Sequence, residues 1–165
     1  FVYAGGTMAF TAGYWALAEL QPSVLAFFGC DMIYSGRART LFYGRGTADP
    51  LRKDPTLQSL EAKSARLEMI AARQGCSCVN LSTGESRLVF PRSALADLST
   101  LPSPDAAAPT PADRAEASAD YRAPDGRYWE IQDAFDPRVL ASIDARWLAA
   151  HRLHFGMRSR EVPAA

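Results

Sequence analysis

The apolar runs of the chain predict helices separated by short, buried strands. Phe1-Val2-Tyr3-Ala4 is apolar and β-prone, and it leads into Gly5-Gly6-Thr7. Met8 to Leu20 follows, rich in Ala, Leu, Met and Trp. Its length and propensity favour helix over strand, and its apolar character nearly all round predicts heavy burial. Pro22 stops it. Val24-Leu25-Ala26-Phe27-Phe28 is apolar without alternation, the pattern of a strand buried on both faces of a parallel sheet. Gly29-Cys30-Asp31 closes that strand. Strand, helix, strand in this order implies a right-handed crossover.

Residues 35–53 mix glycines with Arg37, Arg39, Arg45 and Arg52 and predict a long polar loop. Asp54-Pro55 has the signature of a helix start, Asp at the N-cap and Pro in the first turn. Leu57, Leu60, Leu67 and Ile70 recur at roughly helical spacing as its buried stripe. Glu61, Lys63, Arg66, Glu68 and Arg73 are then expected to face solvent or a site. Gly75 fits the position just past the helix end. Cys78 to Ser82 predicts a second short strand, and Arg87-Leu88-Val89-Phe90 a third short element. From Leu98 to Pro124 the composition shifts to Pro, Ala, Ser and Asp, the expectation for a flexible linker that buries no core. Asp136-Pro137 repeats the helix-start signature, with Val139, Leu140, Ile143, Trp147 and Leu148 as the apolar face of a last helix.

These elements predict an α/β chain: a Rossmann-like, doubly wound, mostly parallel sheet, of which this is the later part. The expected organisation is an α/β domain over residues 1–97, a flexible Pro/Ala-rich linker over 98–124, and a C-terminal helical segment over 125–165. Composition changes that picture little. Apolar residues make up 48% of the 165 residues, enough for a core. Eighteen acidic residues balance eighteen basic ones, which argues against a broad nucleic-acid or anionic-membrane footprint. Glu19, Gln21 and Pro22 break the first apolar stretch, so no membrane span is expected. Cys30, Cys76 and Cys78 are an odd set without metal-site spacing, and reduced thiols suit a cytoplasmic protein. No metal is expected. The chain opens on Phe1, as a piece of a longer protein would.

Four features carry candidate chemistry. Gly5-Gly6-Thr7 sits where a strand meets a helix. There, backbone N–H groups and a hydroxyl receive phosphate or carboxylate, or the glycines simply make a tight turn. Asp31 lies just past a buried strand, where open α/β sheets bind ligands, and is otherwise a cap or an ion-pair partner. The segment from Thr40 to Arg52 combines Tyr43, Asp49 and aromatic and glycine neighbours with Arg45 and Arg52, which are suited to clamping an anion or are part of a solvated surface loop. Asn80 and Ser82 end the second strand and reach towards the same crevice, or serve as turn residues.

The order of these features resembles the bacterial CMP-sialic-acid-dependent sialyltransferases. It is similar also to the motility-accessory-factor glycosyltransferases and the 6-hydroxymethylpterin diphosphokinase-like proteins. The resemblance covers about Gly5 to Arg92: small-residue turn, apolar helix, strand ending Gly-x-Asp, aromatic-glycine loop, Glu-bearing helix, and strand ending Asn-x-Ser. It implies that Gly5, Gly6 and Thr7 hold the phosphate side of a nucleotide-sugar donor, a CMP-sugar in the first instance. It implies that Asp31 belongs to the donor pocket. It also places a nucleotide-binding strand and glycine loop ahead of Phe1. The group's His-aromatic-x-Gly motif corresponds to Leu41-Phe42-Tyr43-Gly44. Leucine transfers no proton, so Tyr43 or Asp49 is left for the catalytic role.

Three functions compete. The first is a glycosyltransferase-like enzyme that moves a sugar from a nucleotide-sugar to an acceptor hydroxyl, with Arg45 or Arg52 stabilising the departing phosphate. The second is a non-catalytic nucleotide-binding module that has lost its general base. The third is a diphosphotransferase on the same scaffold, which needs Mg²⁺ and paired carboxylates such as Asp31 and Asp49. The acceptor and the oligomeric state are not legible.

Overall fold

The computed structural model describes residues 7–33, 59–121 and 130–156. The expected strand Phe1–Ala4, the loop carrying Tyr43, Asp49, Arg45 and Arg52, and the Asp54-Pro55 helix start lie outside these residues. The described order is helix α1 (Met8–Glu19), strand β1 (Val24–Phe27), helix α2 (Leu60–Arg73), strand β2 (Ser77–Asn80), helix α3 (Pro111–Ala119) and helix α4 (Pro137–Phe155), with 3-10 turns at Leu95–Thr100 and Gln132–Ala134. The fold is mixed α/β. Among the described residues no helix is long and apolar enough to cross a membrane.

β1 and β2 pair in parallel, Val24 opposite Ser77 through Phe27 opposite Asn80. Where a doubly wound sheet was expected, the described residues hold this one strand pair, and helices dominate. The Arg87–Phe90 segment is not a strand because its N–H groups find other partners. Arg87 N–H donates to the Asp31 carbonyl (2.9 Å), Leu88 to the Ser86 hydroxyl (3.2 Å) and Val89 to the Ser64 hydroxyl (3.2 Å). Leu88 and Phe90 are nonetheless core residues, and Phe90 packs on Phe27 with ring centroids 4.9 Å apart.

α2 is the central element, packed by α1, α4 and β2. The Ser59 hydroxyl caps its start by accepting from Ala62 N–H (3.1 Å). At its end Cys76 N–H reaches the Ala71 carbonyl (3.0 Å) and Gly75 N–H the Ala72 carbonyl (3.1 Å). Gly75 sits at φ +71° between them, the left-handed position a Schellman ending requires. One side of α2 joins Leu60, Leu67 and Ala71 to Phe10, Leu17, Phe27, Cys78 and Phe90. The other joins Met69 and Ala72 to Ala112, Leu140, Ile143 and Trp147.

Burial overturns three expectations. α1 is not buried all round: Phe10, Gly13 and Leu17 face inward, while Met8, Trp15 and Leu20 are 80%, 58% and 63% exposed. It meets α2 on one side only, across Gly13, where a Cβ would come within 2.9 Å of Leu67 Cδ2. The Pro/Ala-rich stretch, expected to bury no core, contains α3. Thr110-Pro111-x-Asp113 forms a capping box: Thr110 N–H donates to Asp113 Oδ2 (2.7 Å), and the Thr110 hydroxyl caps the first turn. Ala107 and Ala112 are small enough to pack tightly in the α3–α4 core.

The third correction concerns the α2 charges. Eleven of the fourteen residues of α2 are buried, Lys63, Arg66 and Glu68 among them, and Glu61 and Arg73 are half-buried, so the charged positions do not form a solvated face. Each charged residue meets an oppositely charged group or an imidazole from elsewhere in the chain. Glu61 takes a forked pair of hydrogen bonds from Arg87 (2.7 and 2.8 Å). Lys63 bonds Asp144 (3.0 Å). Arg66 forks onto Glu116 (2.8 and 2.7 Å), and Arg73 onto Asp113 (2.8 and 2.8 Å). Glu68 meets His151 (2.7 Å). Glu116 also accepts from the Trp147 indole N–H (3.0 Å). Charged groups taken out of water in this way require such partners.

Candidate functional site

Because β1 and β2 run in parallel, their carboxyl ends open on the same edge, and the chain leaves both through polar turns. Gly29 follows β1 at φ +69°, in open space, where a side chain would be strained. Its N–H donates to the Ser82 hydroxyl (3.3 Å), and Leu81 N–H donates to the Phe27 carbonyl (2.8 Å), tying the two exits together.

Buried Asn80 organises this edge. Its Oδ1 accepts from Ser82 N–H (2.9 Å), and its Nδ2 donates to the Ser86 hydroxyl (3.0 Å) and to Asp31 Oδ1 (3.4 Å). The Arg92 guanidinium stands 3.9 Å from the same Asp31 oxygen and also donates to the carbonyls of Ser82 and Gly84. The edge therefore carries a carboxylate held by an amide and balanced by a guanidinium, a polar arrangement of near-zero local charge.

Thr7 comes to this edge from the other direction. It is the N-cap of α1, its hydroxyl oxygen accepting from Phe10 N–H (3.5 Å), so the first turn of α1 starts here. A cavity of about 440 Å³ is lined by Thr7, Ala9, Gly29, Cys30, Asp31 and Met32. Of the residues singled out from the sequence, Thr7 and Asp31 thus share one cavity, and Asn80 and Ser82 hydrogen-bond Asp31 and Gly29 of its lining. Gly5, Gly6, Tyr43, Asp49, Arg45 and Arg52 lie outside the described residues.

The arrangement suits hydrogen bonding and anion contact more than thiol chemistry. Burial, then the Asp31 charge, pushes the Cys30 thiol up from its ordinary pKa. Burial does the same for Cys76 and raises Cys78 well above the usual value, with the Glu68 charge adding to it. All three remain protonated near neutrality and are poor nucleophiles. The Tyr14 phenol, on α1, is pushed up to about 12 by burial against the opposing pull of Arg66, so it too stays protonated. Among the described residues no three His, Cys, Asp or Glu side chains converge as metal ligands would.

Ser86 and Arg92 escaped the sequence reading. Neither belongs to a periodic stripe or motif; they reach the strand ends because the segment after β2 folds back and makes an isolated parallel bridge, Arg92 opposite Asn80, with Ser93 N–H donating to the Asn80 carbonyl (3.2 Å). Compared with known protein families, with curated proteins and with solved structures, the chain matches none.

Proposed function

We propose that this chain is glycosyltransferase-like: it binds a nucleotide-sugar at the carboxyl edge of its parallel strands and passes the sugar to an acceptor hydroxyl. One observation carries the reading, the shared cavity of Thr7 at the start of α1 and Asp31 at the end of β1. The first-turn N–H groups and the positive end of α1 favour a phosphate. The Thr7 hydroxyl uses an oxygen lone pair in capping and keeps its proton to donate to a phosphate oxygen. Asp31 is an acceptor for ribose or sugar hydroxyls. Asn80 and Ser82 hold Asp31 and Gly29 in place, so their contribution is positioning.

Isothermal titration of the full chain with CMP-, UDP- and GDP-sugars tests the proposal. Binding is expected with one nucleotide class. Asp31→Asn is expected to weaken it by about tenfold, the loss of one charge-assisted hydrogen bond. Absence of heat with every nucleotide refutes it. Leu41, in place of the resembled group's histidine, favours a second reading, a nucleotide-binding module without turnover. Gain of transfer in Leu41→His supports that module; transfer by the unaltered chain eliminates it.

A further inference from the structure

Four of the five charged pairs on α2 join a carboxylate to an arginine or lysine side chain. The fifth differs. Glu68 Oε2 lies 2.7 Å from His151 Nε2, Glu68 being almost fully buried and His151 mostly so. Imidazole is the side chain whose ordinary titration falls near neutrality, and a carboxylate on one ring nitrogen selects the tautomer. With Nε2–H donating to Glu68, the lone pair of the neutral ring is on Nδ1. Phe155 packs against the ring, centroids 4.8 Å apart, and restricts its rotation.

This pair lines a cavity of about 570 Å³ between α2, α4 and the segment after β2. Ser86 and Arg92 line it as well, and these same residues touch Asn80 and Asp31. The cavity therefore shares a wall with the strand-end cluster. Its charged lining is mixed: Glu61, Glu68 and Glu85 against Arg92 and Arg152. Such a lining suits a neutral, hydroxyl-rich molecule better than a strong anion or cation.

We infer that this cavity receives the acceptor, a neutral polyol or sugar, with His151 as the proton acceptor and Glu68 as its positioning residue; the inference rests on the transferase reading above. In the step, the acceptor O–H bond breaks and its proton passes to Nδ1 of His151. The acceptor oxygen bonds the anomeric carbon of the nucleotide-sugar. The bond from that carbon to the nucleotide phosphate breaks, its electron pair leaving on the phosphate oxygen.

The test uses the full chain and the variants His151→Gln, Glu68→Gln and Glu68→Asp. CMP-, UDP- and GDP-sugars serve as donors and methyl glycosides as acceptors, with nucleotide binding and nucleotide release measured separately. His151→Gln is expected to bind nucleotide within about twofold of the unaltered chain and to release it about 100-fold more slowly, the usual weight of a general base. Glu68→Gln is expected to be slowed about tenfold, with partial rescue by Glu68→Asp. Nitrogen-15 spectra of the imidazoles, assigned with His154→Gln, are expected to show the neutral His151 proton on Nε2, a preference lost in Glu68→Gln. Release unchanged by His151→Gln overturns this inference and leaves the transferase reading standing. So does a neutral His151 with its proton on Nδ1. Donor binding without release in the unaltered chain leaves the non-catalytic module and overturns both the transfer and the acceptor role. Absence of nucleotide binding overturns the transferase reading itself and the acceptor role with it.

Discussion

Replacing Asp144 with leucine removes the carboxylate bonded to Lys63, the most deeply buried charge among the described residues. Lys63 is 0% exposed and Asp144 7%, with Nζ and Oδ1 3.0 Å apart. Burial already pulls the Lys63 ammonium below the ordinary lysine pKa, opposed by Asp144 and more weakly by Glu116, with Arg66 adding to the lowering. Without Asp144 the Glu116 charge is a weaker counterweight, and the amine can escape by losing its proton. At pH 7 that costs about 1.36 kcal/mol for each of the roughly 3.4 pH units below the ordinary lysine value of ~10.4, or about 4.6 kcal/mol. The figure is a ceiling, and it meets the ~3–5 kcal/mol usual for breaking a buried pair. Asp144→Leu should therefore lose about 3–4.6 kcal/mol at pH 7, equivalent to roughly 6–18 °C in Tm for a chain of this size.

The pH dependence carries a sign. A lysine that is neutral when folded and charged when unfolded makes the unfolded chain bind the extra proton, so stability rises with pH. The deficit of Asp144→Leu should shrink to about 2 kcal/mol at pH 9 and vanish near the ordinary lysine pKa. The double variant Lys63→Met with Asp144→Leu replaces the pair by apolar groups of similar volume and should return to within about 1 kcal/mol of the unaltered chain. Urea unfolding at pH 7 and 9 measures all of these. A loss under about 1 kcal/mol that is equal at both pH values refutes the reasoning, since a stranded interior ammonium cannot be that cheap.

Gly75→Ala should lose about 1–2 kcal/mol, because φ +71° is a left-handed position with no steric obstacle other than the backbone itself, and Gly75→Asn should lose less; thermal unfolding ranks the two. Trp147→Phe removes the indole donor to Glu116 and should destabilise by about 1–2 kcal/mol in urea titration, whereas Glu116→Gln, which also unbalances Arg66, should cost more. Hydrogen bonds from Arg87 hold the Glu61 carboxyl below its usual pKa, and for Asp113 burial pulls upward but Arg73 and Thr110 outweigh it. Lowered folded values mean stability that is present above the ordinary carboxylate range and is lost as pH falls from about 4 downward; urea midpoints between pH 5 and 2.5 should fall, and less steeply in Asp113→Asn.

Local chemistry was legible without a structure. Asp136 caps α4, its Oδ1 accepting from Arg138 N–H (2.8 Å), with Pro137 in the first turn, because a cap needs only residues within one turn of each other. Gly75 ends α2 for the same reason, and the apolar run at β1 and the Asn-x-Ser exit of β2 are short-range patterns. That Asp31 and Asn80 meet was an extrapolation from the order of elements, which the parallel register of β1 and β2 then determined.

What only the tertiary structure decided is where the charges go. Nothing within a turn of Lys63 or Arg66 announces Asp144 or Glu116, which lie 81 and 50 residues away, so periodicity reads α2 as an ordinary amphipathic helix with a wet face. Hydropathy ranks side chains one at a time, whereas the free energy of a buried charge depends on the partner that long-range packing supplies. The same holds in reverse for α1: its residues are apolar all round, yet one face is covered, because burial requires a neighbour as well as a preference.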